Sequence, residues 1–208
     1  DALPIYENTV YDAPGSMEIG NADVVNFDGN SYGRLTLAQA TELSANTAFG
    51  QLGVEMGADA LVAGAEDFGF NKDIEFALTL YTSLMPDPDD MTEWETAWAA
   101  AGENVGENKT ASHPSPNGPQ ATVLEMALVG SAIANDGTIM QPYLVDGIYN
   151  ANGERSFTAT PNKFLQAVSK ETASRVKDVL KGVVTDGTGT AAALPGVEVA
   201  GKTGTAEK

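Results

Sequence analysis

The sequence predicts an α+β chain that is mainly helical, and three observations predict it. Capping boxes recur ahead of apolar stretches, at Thr36-Leu37-Ala38-Gln39, Thr92-Glu93-Trp94-Glu95 and Thr122-Val123-Leu124-Glu125. In each, a threonine hydroxyl and the polar side chain three residues on serve the free backbone donors of a first helical turn. Between Lys170 and Thr185, Val176, Val179, Leu180, Val183 and Val184 recur at helical spacing, so one face of that helix is expected to be buried. Near the end, Val197-Glu198-Val199-Ala200 alternates as a half-buried strand does and runs into Gly201-Lys202-Thr203-Gly204-Thr205.

Taken from the start, residues 1–34 are rich in Gly, Asn, Asp and Pro and show little periodicity. They predict a loop-rich opening segment with a short hairpin, packed across something else. Residues 35–136 read as a helical lobe: a helix from Thr36 toward Leu43, then helices over Asn46 to Met56 and Ala58 to Phe68, closed by Gly57 and Gly69. Residues 81–120 change composition and predict loops around one helix of about ten residues. The apolar run from Val123 to Ile133 is the best candidate for a buried helix, ended by Asn135-Asp136-Gly137. Residues 137–208 predict a hairpin outside the main core, with strands around Tyr143 to Tyr149 and Ser156 to Thr158 and a turn at Asn152-Gly153. The 170–185 helix and the terminal strand follow.

Composition narrows the function. The 208 residues carry 42% apolar content, which suits one domain or a large piece of one. Eleven basic against 29 acidic residues give a formal charge of −18, which argues against nucleic acid or an anionic membrane surface as partner, since both need clustered Lys and Arg. The absence of cysteine excludes disulfides, thiolate chemistry and a cysteine-ligated metal. The acidic group Asp87, Asp89, Asp90, Glu93 and Glu95 lacks the glycine and spacing of a calcium loop and reads as a solvated loop leading into a helix. His113 has no ligand cluster around it in sequence and reads as a surface-loop residue, so no metal and no cofactor are expected. Asn108-Lys109-Thr110 matches a glycosylation sequon by pattern alone, and Trp94 and Trp98 read as packing residues.

The terminal stretch carries the chemistry. Gly201 and Gly204 remove side chains on either side of Lys202 and Thr203, so another extended chain can approach the backbone and pair with it. Lys202 would supply a fixed positive charge, and Thr203 or Thr205 a hydroxyl, for a carboxylate at the end of that chain. Successive strand side chains alternate, so Lys202 and Thr203 can share one ligand only if it lies along the strand's edge. Far upstream, Ser44-Ala45-Asn46 falls at a helix junction, where a C-cap followed by an N-cap is the plain structural reading.

Ser44-Ala45-Asn46 and Lys202-Thr203-Gly204, in that order, resemble the second and third motifs of penicillin-binding protein transpeptidase domains. The similarity extends through Leu35 to Ala40, Asn46 to Phe49, Ala132 to Gly137, and Val183-Val184 to Gly189-Thr190-Ala191, and closes on Gly201 to Glu207. It implies the helical lobe plus the Lys-Thr-Gly strand of a serine β-lactamase/transpeptidase-like fold, with an incomplete central sheet. It further implies a D,D-transpeptidase that cross-links peptidoglycan stem peptides ending in D-Ala-D-Ala, works through a serine acyl-enzyme, and is inhibited by β-lactams. Such a protein acts on the extracytoplasmic face of the bacterial membrane, anchored by a segment that these residues do not include. Under the resemblance, Ser44 relays a proton between a lysine and the leaving amine, and Asn46 donates its amide to the lysine and to the acyl carbonyl. Lys202 and Thr203, with Gly204 and Thr205, hold the substrate carboxylate.

One family motif is absent. A nucleophilic Ser three residues before a Lys should precede Ser44, and residues 1–43 contain no lysine. The chain is therefore expected to begin after its nucleophile and to be inactive by itself. Ser174-Arg175-Val176-Lys177 matches the bare pattern but lies after Ser44, in the amphipathic helix, and reads as solvated helix residues. Two alternatives to the transpeptidase remain. A serine β-lactamase would need an acid in a loop between the motifs, and no Glu-x-x-Leu-Asn is present there. A β-lactam sensor or catalytically silent penicillin-binding domain would keep the carboxylate pocket and lose turnover.

Overall fold

The computed structural model describes residues 6–105, 116 and 118–204. In chain order the elements are β1 (Val10–Ala13), β2 (Ser16–Ile19), β3 (Ala22–Val25), β4 (Gly33–Thr36), α1 (Leu37–Leu43), α2 (Asn46–Met56), α3 (Ala58–Asp67), α4 (Glu93–Ala101), α5 (Val123–Ala134), β5 (Thr138–Met140), β6 (Gly147–Tyr149), β7 (Arg155–Thr158), β8 (Lys163–Gln166) and α6 (Lys170–Thr185). Among the described residues the strands form antiparallel pairs only, β1 with β4, β2 with β3, β5 with β8 and β6 with β7.

The opening segment is more ordered than its composition predicts. Val10 pairs with Thr36 although the β2–β3 hairpin lies between them in the chain, and Asn21 and Gly20 turn that hairpin at positive φ. Tyr11, Ala13 and Leu35 from β1 and β4 then pack against Ala40, Ala45, Ala48 and Leu52 of the α1–α2 region. Strands β1 and β4 are thus the floor under the first two helices.

Helix α2 is held from its other side by α4, and glycines set the distance. A Cβ at Gly53 would stand 2.5 Å from the Ala100 Cβ and 3.0 Å from the Thr96 carbonyl. Only a bare backbone lets these helices approach so closely. Ile19, Val24, Ala97 and Trp98 close the second cluster, and the Trp94 indole donates to the Asp23 carbonyl at 3.0 Å, so both tryptophans pack.

Local signals placed α1 and α4 well, since both capping boxes are complete at Thr36/Gln39 and Thr92/Glu95. The third box is only half formed. Thr122 accepts from the Glu125 amide, but its own N–H donates to the Ser83 hydroxyl at 3.0 Å, and the Glu125 carboxyl turns inward. Helix α5 is also not the buried helix that its composition predicts. Leu128, Ala132 and Ile133 are buried, whereas Val123 is 90% and Met126 53% exposed. The run is apolar on every side, so composition marked it as buried without saying which side meets the rest of the described chain.

Beyond α5, the β6–β7 hairpin stands outside the core as expected, while the pairing of β5 with β8 was not foreseen. Helix α6 spans the predicted residues, with Ala173, Val183 and Val184 buried. The terminal segment departs from expectation. Val197 makes an isolated bridge to Leu194, and Gly201 N–H donates to the Leu180 carbonyl at 3.1 Å, but residues 198–204 join no ladder among the described residues. A strand needs a neighbour to satisfy its backbone groups, and here the extended segment leans on the end of α6 instead.

Candidate active site at the junction of α1 and the terminal segment

Ser44 occupies the C-cap of α1 with φ 56° and ψ 48°, a left-handed conformation uncommon for a residue with a Cβ. Its N–H donates back to the Ala40 and Thr41 carbonyls, and the fully buried Ala45 follows as the N-cap of α2. The chain therefore reverses within two residues and leaves the serine hydroxyl half-exposed at the corner. The cap is made by the serine's backbone, which leaves its hydroxyl uncommitted to the helix.

Below the corner lies a buried polar clamp. Asn26, 2% exposed, accepts the Thr47 N–H at 2.9 Å through Oδ1 and donates through Nδ2 to the Pro14 and Asn30 carbonyls, each at 2.9 Å. The Thr47 hydroxyl also reaches the Pro14 carbonyl at 3.0 Å. These bonds fix the first turn of α2 to the opening segment.

Lys202 reaches the corner from 158 residues away. Its Nζ donates to Ser44 Oγ and, at 2.9 Å, to the Thr203 carbonyl. An ammonium has three protons, so one donor remains for a ligand. Loss of hydration pushes the lysine pKa down from its ordinary range, although much of the stem is exposed. Thr203 pairs its hydroxyl with that of Thr188 at 2.7 Å. A Cβ added at Gly201 or Gly204 would meet nothing within 4 Å among the described residues, so the approach to the backbone is open on both sides of the lysine.

Of the residues singled out in the sequence, the structure brings together Ser44, Lys202 and Thr203. Gly204 lies beside them, and Thr205 falls outside the described residues. Asn46 does not donate to Lys202; its Nδ2 is 2.9 Å from the Val25 carbonyl, which uses the amide to tie α2 to β3. Ser174 is exposed on α6, and Lys177 two residues past Arg175 has no part in the corner; Arg175 pairs with Glu7. The acidic residues from Asp87 form a short 3-10 turn capped by the Asp87 carboxylate, and no cluster suited to a metal is found among the described residues. His113 and the Asn108 sequon lie outside them. Thr188 was not singled out. Gly187-Thr188-Gly189 repeats the pattern of a polar residue between glycines that drew attention to Lys202, and that was the available signal.

The chain belongs to a known family: the model of the penicillin binding protein transpeptidase domain matches residues 5–208. Among individual proteins it is similar to the D,D-transpeptidase domain of a peptidoglycan glycosyltransferase from Eggerthella lenta, with 70% identity and a TM-score of 0.94 over 97% of this chain and 49% of that one. The imipenem acyl-enzyme complex of penicillin-binding protein A from M. tuberculosis superposes with a TM-score of 0.81 at 27% identity, over 97% of this chain and 44% of that one. The peptidoglycan D,D-transpeptidase PbpA of Mycolicibacterium smegmatis is 33% identical over 196 residues, which are 89% of this chain and 35% of that protein. This chain thus spans about a third of that relative's length.

Proposed function

We propose that this chain supplies the proton-relay and carboxylate-binding side of a D,D-transpeptidase that cross-links peptidoglycan stem peptides through a serine acyl-enzyme and is blocked by β-lactams. The observation that carries the reading is the bond from Lys202 Nζ to Ser44 Oγ. A hydroxyl that accepts from an ammonium still has its own proton to give. Ser44 can therefore protonate the amine that leaves when the acyl-enzyme forms, while Lys202 stabilises the oxygen that has given up its proton. The remaining Lys202 proton and the Thr203 hydroxyl face an open backbone, where the carboxylate of a D-Ala-D-Ala terminus or of a penicillin can be held by charge-assisted bonds. Asn46 belongs to this site by its place in the motif; in the present arrangement its amide steadies the α2 start, and donation to an acyl carbonyl requires it to leave Val25. The site works on the extracytoplasmic face of the membrane, where peptidoglycan and β-lactams are met.

The test uses the full-length protein and a fluorescent penicillin. Lys202→Ala should lower the acylation rate constant by about 10- to 100-fold, the loss expected for a hydrogen bond to a charged group. Lys177→Ala should leave it within about twofold, as substitutions remote from a site usually do. Equal losses in the two variants would refute the assignment of the lysine.

A further inference from the structure

The end of α6 returns to the end of α1 through a set of close approaches. Thr188 N–H donates to the Glu42 carbonyl at 3.0 Å, two residues before Ser44. A Cβ at Gly187 would stand 2.4 Å from the same carbonyl oxygen, so the loop can lie against α1 only with glycine there. From the other side of the same residue, the Thr188 hydroxyl meets the Thr203 hydroxyl at 2.7 Å. Thr188 is therefore bonded at once to the turn that presents Ser44 and to the segment that presents Lys202.

We propose that Thr188 is a positioning residue for recognition of the substrate's terminal carboxylate: its hydroxyl donates to Thr203 Oγ1 and so commits the Thr203 proton to the ligand. The inference rests on the carboxylate-binding reading of Lys202 and Thr203. Between two hydroxyls 2.7 Å apart only one proton lies in the bond, and the direction matters. If Thr203 donated to Thr188, it would face an incoming carboxylate with a lone pair, which repels an acceptor-only group. If Thr188 donates, Thr203 keeps its proton for the anion, and each bond strengthens the other. Thr188 makes no other side-chain hydrogen bond among the described residues, so nothing competes for its proton. The arrival of an anion selects the productive direction, because only that direction places a donor on each oxygen in turn.

The experiment is a double-mutant cycle on penicillin acylation of the full-length protein. Thr203→Val should lower the second-order acylation constant about 10-fold or more, as loss of a hydrogen bond to a charged group does. Thr188→Val, which keeps the backbone N–H and the shape, should lower it about 3- to 10-fold, the effect of losing a neutral hydrogen bond. Thr188→Ser should restore it. In the double variant the two losses should not add, because Thr188 acts through Thr203. Against a penicillin whose carboxylate is esterified, Thr188→Val should have no effect beyond that of the parent. An unaltered rate in Thr203→Val would overturn the carboxylate reading itself. A loss in Thr203→Val with none in Thr188→Val, strictly additive losses, or an equal Thr188→Val loss on the ester would leave that reading standing and overturn the role of Thr188.

Discussion

Glu125 offers the sharpest test of the fold, because a residue 1% exposed carries a carboxyl group that nothing among the described residues neutralises. Its Oε1 is buried, has no hydrogen-bond partner among the described residues, and lies 2.6 Å from where a Cβ added at Gly69 would stand. Burial pushes its pKa up from the usual carboxylate value. The folded state then holds a proton that the unfolded chain has released, so stability falls as pH rises from about the ordinary Glu pKa of 4.3 to the raised folded value, and is level above it. Glu125→Gln keeps the shape and removes the charge. An unpaired buried polar group costs about 1–3 kcal/mol, and more when charged; the variant keeps the polar group and removes only the charge, so it should gain on the order of 1 kcal/mol at pH 7. For a domain of this size that corresponds to a rise of about 2–4 °C in Tm. At pH 4 both forms are neutral and the gain should vanish. Thermal unfolding of parent and variant, followed between pH 4 and pH 8, decides the matter. Melting curves that stay parallel across that range would show that the carboxyl is charged and satisfied in the fold.

The remaining predictions concern the site. Asn26→Ala leaves the buried Thr47 N–H without its acceptor and takes one donor each from the Pro14 and Asn30 carbonyls, and should cost about 1–3 kcal/mol in urea unfolding, the cost of one buried group left unpaired; a loss below about 0.5 kcal/mol would mean that water replaces the amide without penalty. Lys202 titrates from below the ordinary lysine range because of lost hydration, so its ammonium is present at low pH and disappears as pH rises through that lowered value. The alkaline limb of penicillin acylation should follow it, and Lys202→Arg, whose guanidinium does not titrate there, should move the limb upward; a limb that stays in place belongs to another group.

What the sequence made legible follows from the range of the interactions. Helices α1 and α4 start at Thr36 and Thr92, side chains that accept from a backbone N–H three residues on, and α6 shows in the spacing of its apolar residues; such signals need no knowledge of the rest of the fold. The β1–β4 pair could not be read in the same way. Four-residue strands with Gly and Asn between them look like loop, and what fixes them is the packing of Tyr11 and Leu35 on α1 and α2. The inward turn of the Glu125 carboxyl was hidden for a similar reason, since the Ser83 hydroxyl takes over the Thr122 N–H that a capping glutamate would serve. At the site, the Lys202–Ser44 contact was reached through motif order and not through any local rule. The bond from Asn46 to Val25 and the bridge through Thr188 depend on how neighbouring segments pack, and no spacing in the sequence encodes that.

The strain at Ser44 ties these observations together. A left-handed residue with a Cβ is disfavoured by about 1–2 kcal/mol, and a glycine or asparagine would close α1 at lower cost. The serine is held there by two anchors that share no residue: the Asn26–Thr47 clamp behind α2, and the Glu42–Thr188 bond at the end of α1. The anchors act on the two helices that flank Ser44, and their effect is to aim one hydroxyl at Lys202. Relaxing either anchor therefore releases the strain and moves the hydroxyl at the same time. A corner built in this way trades stability for direction, and the proton relay proposed for Ser44 would need that trade.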